Sequence, residues 1–211
     1  MAQAFPPRLK HAWQRALVVA APMLWLCACS GQSRSVPEVV IPGDAFPTDQ
    51  PLVDIDGVAH GTLASPADKY TSLIFVRTDC PVSNQYAPEI KRLCAEYEPK
   101  GMQCLLVYAD AYDTVEAIRK HRADFGYTMP ATRDPAHALV ARANATITPE
   151  VAVFTKGATL AYSGRIDNLY NELGKPRQQV TEHDLRDALD DLMAGRSVRK
   201  PRTPATGCFI E

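Results

Sequence analysis

The sequence predicts an α/β domain, and three observations carry that reading. The apolar run Leu73-Ile74-Phe75-Val76 is followed closely by Pro81 and a helical periodicity. A second run, Leu105-Leu106-Val107, follows that helix and precedes another. Two further strands, joined at Lys156-Gly157, then lead toward an amphipathic closing helix.

The first residues read as a targeting segment. Arg8, Lys10 and Arg15 precede the apolar stretch from Ala16 to Leu26, whose eleven residues fall short of the roughly 20 that a membrane helix needs. Leu26-Cys27-Ala28-Cys29 resembles a bacterial lipobox, which implies cleavage before Cys29 and diacylation of its sulfur. An ordinary signal peptide and an uncleaved anchor are the alternatives. Residues 1–28 are thus expected to be a lipoprotein signal peptide. The mature chain is expected to be exported, periplasm-facing and lipid-anchored at Cys29 to a bacterial membrane, with Ser30 fitting the outer one. Residues 29–50, rich in Ser, Pro and Gln, read as a tether.

From Pro51 to Leu63, two short alternating runs flank Asp56-Gly57, a strong hairpin signal. Tyr70 to Val76 is a buried strand. The helix opened by Pro81 runs to about Tyr97, with Tyr86, Ile90, Leu93 and Tyr97 on one face and Glu98-Pro99-Lys100-Gly101 as its stop. Met102 to Tyr108 is the next strand. A second helix is expected from an Asp113 cap, with Glu116 reaching back, to about Phe125. A short extended piece lies near Met129-Thr132, and Pro135 is expected to open a third helix ending near Ala143. Thr148-Pro149 leads into the strand Val151-Phe154, and Leu160 to Ile166 returns beside it. The segment from Asp167 to Gln179 is irregular. Thr181 is expected to cap a last helix that ends at Gly195. The folded domain is therefore residues 51–195, and residues 196–211 form an extended tail carrying Cys208.

A net charge of −1 with no basic run in the mature part argues against nucleic acid as a partner. The expected membrane contact is through the lipid anchor alone. Removing residues 1–28 leaves 183 residues, and with Cys29 carrying lipid four cysteines remain, Cys80, Cys94, Cys104 and Cys208. An exported chain can join such cysteines in three ways. Cys94 and Cys104, on the first helix and the strand after it, are a tentative structural disulfide; two packing thiols are the alternative. Cys80 sits where a strand hands over to a helix. There the unpaired N–H groups and the macrodipole stabilise a thiolate by roughly 0.3–1 kcal/mol.

The element order, together with residues 80–89 (Cys-Pro-Val-Ser-Asn-Gln-Tyr-Ala-Pro-Glu), 148–150 (Thr-Pro-Glu), 164–167 (Gly-Arg-Ile-Asp) and 207–210 (Gly-Cys-Phe-Ile), resembles the redoxin branch of the thioredoxin superfamily. That branch holds the alkyl hydroperoxide reductase and thiol-specific antioxidant proteins. The resemblance implies a thioredoxin-like fold, with a central mixed sheet flanked by helices and an N-terminal β-hairpin extension. It also implies a cis peptide at Thr148-Pro149 beside the reactive sulfur and an active-site loop drawn from Pro81, Thr148, Pro149 and Arg165. The chain departs from its relatives at four places. Arg77 and Leu73 stand where peroxiredoxins carry a hydroxyl residue and a proline, Ser83 where thioredoxins carry a second cysteine, and Asn84 where copper-delivering Sco-type proteins carry theirs.

With no local partner, Cys80 needs a resolving thiol from elsewhere, and Cys208 is the candidate. The 13 residues from Gly195 to Cys208 could span roughly 40 Å. A plain tail residue, or pairing with another chain, is the alternative. The expected function is a thiol-disulfide oxidoreductase with Cys80 as nucleophile and Cys208 as resolving thiol. It would act on protein disulfides or peroxides without a cofactor. The alternative is a copper(I) carrier using the same two thiolates.

Overall fold

A computed structural model describes Met1 and residues 45–64 and 70–211, and the elements below belong to the compact unit Val40–Glu211. The signal peptide, Cys29 and most of the tether lie outside the described residues. In chain order the elements are β1 (Pro51–Val53), β2 (Ala59–Thr62), β3 (Tyr70–Val76), α1 (Pro81–Tyr97), β4 (Met102–Tyr108), α2 (Val115–Phe125), β5 (Ala131–Arg133) and α3 (Ala138–Ala143). After them come β6 (Ile147–Thr148), β7 (Glu150–Thr155), β8 (Leu160–Gly164), β9 (Tyr170–Glu172), β10 (Lys175–Pro176), α4 (Asp184–Met193) and β11 (Cys208–Phe209).

The fold is thioredoxin-like, built on a mixed five-stranded sheet in the order β5-β4-β3-β7-β8. β3 is parallel to β4 and antiparallel to β7, and β7 and β8 form a hairpin. Parallel neighbours need a crossover, which α1 supplies between β3 and β4, and α2 between β4 and β5. Every residue of β3 is buried. Its side chains alternate between two cores: Ile74 and Val76 face the side holding Tyr86, Ile90, Leu93 and Leu189, while Leu73 and Phe75 face Leu139, Leu105 and Leu52. A strand covered on both faces reads as a continuous apolar run. β1 and β2 form the separate N-terminal hairpin. Its turn is held by the Asp54 carboxylate, which accepts from the Asp56 and Val58 N–H groups at 2.9 Å each.

Cys94 and Cys104 are joined by a disulfide, with Cα atoms 6.0 Å apart. It clamps the last turns of α1 to the start of β4. No helix among the described residues is long and apolar enough to cross a membrane.

The structure moves several expected boundaries. α2 is capped by Thr114, whose hydroxyl accepts from Ala117 N–H at 3.1 Å; Asp113 instead turns inward to accept from the Thr78 hydroxyl. α3 begins at Ala138, three residues after Pro135, and buried Asp134 accepts from the Ala138 and Val140 N–H groups at 2.9 Å. α4 begins at Asp184, because Thr181 is drawn to Asn168, 2.8 Å away, and does not cap. The irregular segment contains the β9-β10 ribbon. Bound chain begins before residue 51: Phe46 N–H donates to Ala138 O at 2.9 Å, and Ala64 N–H donates to Thr48 O at 3.0 Å.

Candidate active site

Cys80 is the N-cap of α1, fully buried, with Pro81 opening the helix. Pro81 needs no N–H partner at this place, and its fixed φ suits the first turn. The sulfur accepts from Ser83 N–H at 3.5 Å. Ser83 Oγ is itself fully buried and has no nitrogen or oxygen partner, so its hydroxyl is left to turn toward the sulfur. On the other side stands Thr148, the last residue of β6, which precedes a cis peptide to Pro149. Its carbonyl oxygen lies 3.3 Å from Cys80 Sγ and accepts the thiol proton. The loop carrying Thr148 is braced from beneath by Glu150, whose buried carboxylate accepts from Thr146 N–H at 2.9 Å and Ile147 N–H at 3.3 Å.

The C-terminal tail reaches this place. Its first hold is on β8: Ser163 N–H donates to Pro201 O at 3.0 Å and Thr203 N–H to Ser163 O at 3.2 Å. Thr203 Oγ1 also lies 2.7 Å from Tyr162 OH and accepts from Arg165 N–H at 3.1 Å. The tail then crosses to β6 and pairs with it antiparallel as β11, with Cys208 opposite Thr148 and Phe209 opposite Ile147. Ile210 N–H donates to Thr146 O at 3.0 Å. This register places Cys208 opposite the residue whose carbonyl lies against Cys80 Sγ, and both cysteines are free.

The two thiols differ in acidity. Burial pushes Cys80 up, but hydrogen bonds from the Cys208 thiol and from Ser83 outweigh it and bring it below the ordinary thiol value. Burial pushes Cys208 up to about 12, and its hydrogen bond to Cys80 adds to this. The first proton therefore leaves Cys80, and the second stays on Cys208 as donor. Arg77, one residue beyond β3, is the cation facing Cys208. Its guanidinium is held by Asp79 at 2.7 Å and Asp110 at 2.8 Å.

A buried polar chain fixes the loop before Cys80. Asn84 donates through Nδ2 to Thr78 O at 3.2 Å, and its Oδ1 lies 2.7 Å from His121 Nε2. Because that oxygen can only accept, Nε2 carries the proton, and Nδ1 accepts from Tyr108 OH at 2.8 Å.

The structure thus brings together Cys80, Pro81, Thr148, Pro149 and Cys208. Arg165 is committed elsewhere: its guanidinium pairs with Asp184 at 2.7 Å and Glu182 at 2.8 Å, anchoring β8 to α4. Sequence reasoning missed Arg77, Ser83 and His121 as contributors. The parallel register that sets Val76 opposite Tyr108 carries the two strand ends on to Arg77 and Asp110, a pairing that strand alignment could have suggested.

Residues 43–163 match the AhpC/TSA family. The chain belongs to that family. AhpC/TSA proteins are thiol-based oxidoreductases, and this member has free cysteines at the N-cap of α1 and on β11. No curated protein matches. Among solved structures, an uncharacterized conserved protein from Geobacillus kaustophilus is 27% identical, with 79% of this chain and 92% of that chain covered and a TM-score of 0.65. A hypothetical protein from Sinorhizobium meliloti is 22% identical over the same shares, with a TM-score of 0.66. MTB DsbF, solved in mixed oxidized and reduced forms, shares the fold at 15% identity, with 69% and 96% covered and a TM-score of 0.51.

Proposed function

We propose that the protein is an exported thiol-disulfide oxidoreductase in which Cys80 is the nucleophile and Cys208 the resolving thiol. The observation that supports this reading is the antiparallel register of Cys208 opposite Thr148, whose carbonyl lies 3.3 Å from Cys80 Sγ. The Cys80 thiolate attacks one sulfur of a partner's disulfide; the partner's S–S bond breaks, a Cys80–partner bond forms, and the other partner sulfur leaves as a thiolate. Cys208 then gives up its proton and attacks Cys80 Sγ, which releases the partner's second thiolate and leaves a Cys80–Cys208 disulfide. The partner is reduced by two electrons and the enzyme oxidised by two. With a peroxide, the same thiolate takes one oxygen to become a sulfenic acid and releases an alcohol, and Cys208 condenses with it to release water. Arg77 in place of the peroxidase hydroxyl favours the disulfide substrate.

Replacing Cys208 by Ser should convert turnover into accumulation of Cys80–partner adducts, visible as a stable mass increment. Unchanged turnover in that variant would remove Cys208 from the mechanism. Two free thiols also match the linear donor set that copper(I) prefers. Tight binding of one copper(I) to the reduced chain, lost in both Cys80→Ser and Cys208→Ser, would favour a carrier.

Export is supported by the basic and apolar leader and by the Cys94–Cys104 disulfide, which suits an oxidising compartment. Cys29→Ser should move the protein from the membrane fraction to the soluble one if Cys29 carries lipid.

A further inference from the structure

With the tail in place, Cys80 has no exposed surface, so a bulky disulfide cannot reach it. β11 is the part of the tail that lies at this place, with Cys208 opposite Thr148. β6 belongs to no larger sheet and takes β11 as its strand partner. Wherever β11 is absent, Thr148 and the Thr146 carbonyl lose their strand partner, which is the arrangement that accepts an added strand. The register of β11 demonstrates what such a strand must look like: extended, antiparallel, with a sulfur opposite Thr148.

The two halves of the tail are held differently. Residues 201–203 are tied to β8 and Arg165 by backbone bonds and by the Thr203 hydroxyl. Beyond them Pro204, Ala205 and Thr206 lead to a strand of two residues, whose Phe209 is 68% exposed. Gly207 sets the closeness of the seat. A Cβ there would be driven into the Thr148 carbonyl and would stand 3.1 Å from Ile147 Cγ2. A firm anchor followed by a strand of only two residues is a segment able to leave while its base stays fixed.

We propose that the last residues of the chain are a tethered strand which alternates with a polypeptide partner on the single edge of β6. The partner takes the edge to deliver its disulfide to Cys80, and the returning tail takes it back to resolve. This rests on the reading of Cys80 and Cys208 as a disulfide-exchanging pair. It means that binding and resolution exclude one another in time. Attack by Cys208 and ejection of the partner's backbone are then one event, because Thr148 can pair with one strand on that side. The tether from Thr203 keeps Cys208 at high effective concentration while it is off the edge.

The test uses the full chain carrying Cys208→Ser, so that Cys80 is its reactive thiol in the described unit. The probe is a peptide with the tail's own order, Ala-Thr-Gly-Cys-Phe-Ile-Glu, its cysteine joined as a mixed disulfide to nitrothiobenzoate. Attack forms the Cys80–peptide disulfide and releases the coloured thiolate, so the rate is read directly. A second peptide differs in one N-methyl group, on the isoleucine whose counterpart Ile210 donates to Thr146 O. The unmethylated peptide should react at least tenfold faster. Adding Gly207→Val should raise its rate at least tenfold, and in the adduct the chain's own Ile210 amide should lose its hydrogen-exchange protection. Equal rates for the two peptides, or an Ile210 amide that stays protected in the adduct, would overturn the shared edge; neither readout depends on how the Val variant folds. A Cys80 silent toward both peptides and toward a small aromatic disulfide would overturn the disulfide reading itself, and this inference with it.

Discussion

His121 Nε2 lies 2.7 Å from Asn84 Oδ1, across 37 residues of sequence, and through Asn84 the imidazole holds the carbonyl of Thr78, two residues before Cys80. Replacing His121 by Leu leaves Tyr108 OH and Asn84 Oδ1 buried without partners. Each such group costs about 1–3 kcal/mol. The variant should lose about 2–4 kcal/mol in denaturant unfolding.

The same histidine gives a pH dependence. Burial holds its folded pKa below the ordinary 6.5, so the unfolded chain takes up the proton first as pH falls. The contribution is complete above about 6.5 and is lost as pH falls through the lower folded value. The stability gap between the parent and His121→Leu should therefore narrow as pH falls below about 6.5. A gap that widens would contradict a neutral imidazole.

Ser83 is predicted to tune the nucleophile. Its buried hydroxyl has only the Cys80 sulfur to serve, and a hydrogen bond to a charged group is worth about 1.5–3 kcal/mol. Ser83→Ala should raise the Cys80 pKa by about one unit or more, read from thiolate absorbance of the reduced chain. Cys208→Ala should act in the same direction, since Cys208 is the other donor. An unmoved titration in both variants would dismiss this account of the thiolate.

The anchor of the tail is open to a steric test. Gly164 has φ +156°, and a Cβ there would collide with Thr203, standing 2.8 Å from its nitrogen and closer still to its hydroxyl and carbonyl. Gly164→Ala should push Thr203 off β8. Disulfide formation between Cys80 and Cys208 should then slow about tenfold or more, as the effective concentration of Cys208 falls.

The Cys94–Cys104 bond should matter for stability and not for chemistry. Closing a loop of this length contributes about 2.7 kcal/mol on the chain-entropy account. About fourteen helical residues, about 21 Å, separate Cys94 from Cys80. The double alanine variant should lose roughly 2–3 kcal/mol in urea unfolding and keep its Cys80 pKa.

Much of this architecture was legible because its signals are local. A Cys-Pro after an apolar run and an Asp-Gly between alternating runs each state their own geometry, while the cis peptide at Thr148-Pro149 was implied by the family resemblance. What was hidden depends on distant partners. Asp113 reads as a cap until Thr78 draws it inward, and Thr181 reads as a cap until Asn168 takes it. Arg165 reads as a cation for the thiolate until Asp184 and Glu182 claim it, while Arg77 reads as a missing hydroxyl until Cys208 arrives beside it. The tail reads as an extended carrier of Cys208; its register on β6 could not be seen, because two residues of strand carry no periodicity.

Cys80 and Cys208 are 128 residues apart, where relatives with a Cys-x-x-Cys pair close a ring of a few residues. Joining them turns about three quarters of the folded unit, from the N-cap of α1 to β11, into one covalent circle. On the chain-entropy account such a circle adds about 5 kcal/mol against unfolding. Melting temperature thereby becomes a gauge of oxidation state. By the same cycle run in reverse, the folded architecture, and not the local chemistry of two neighbouring sulfurs, sets how firmly this protein holds its electrons.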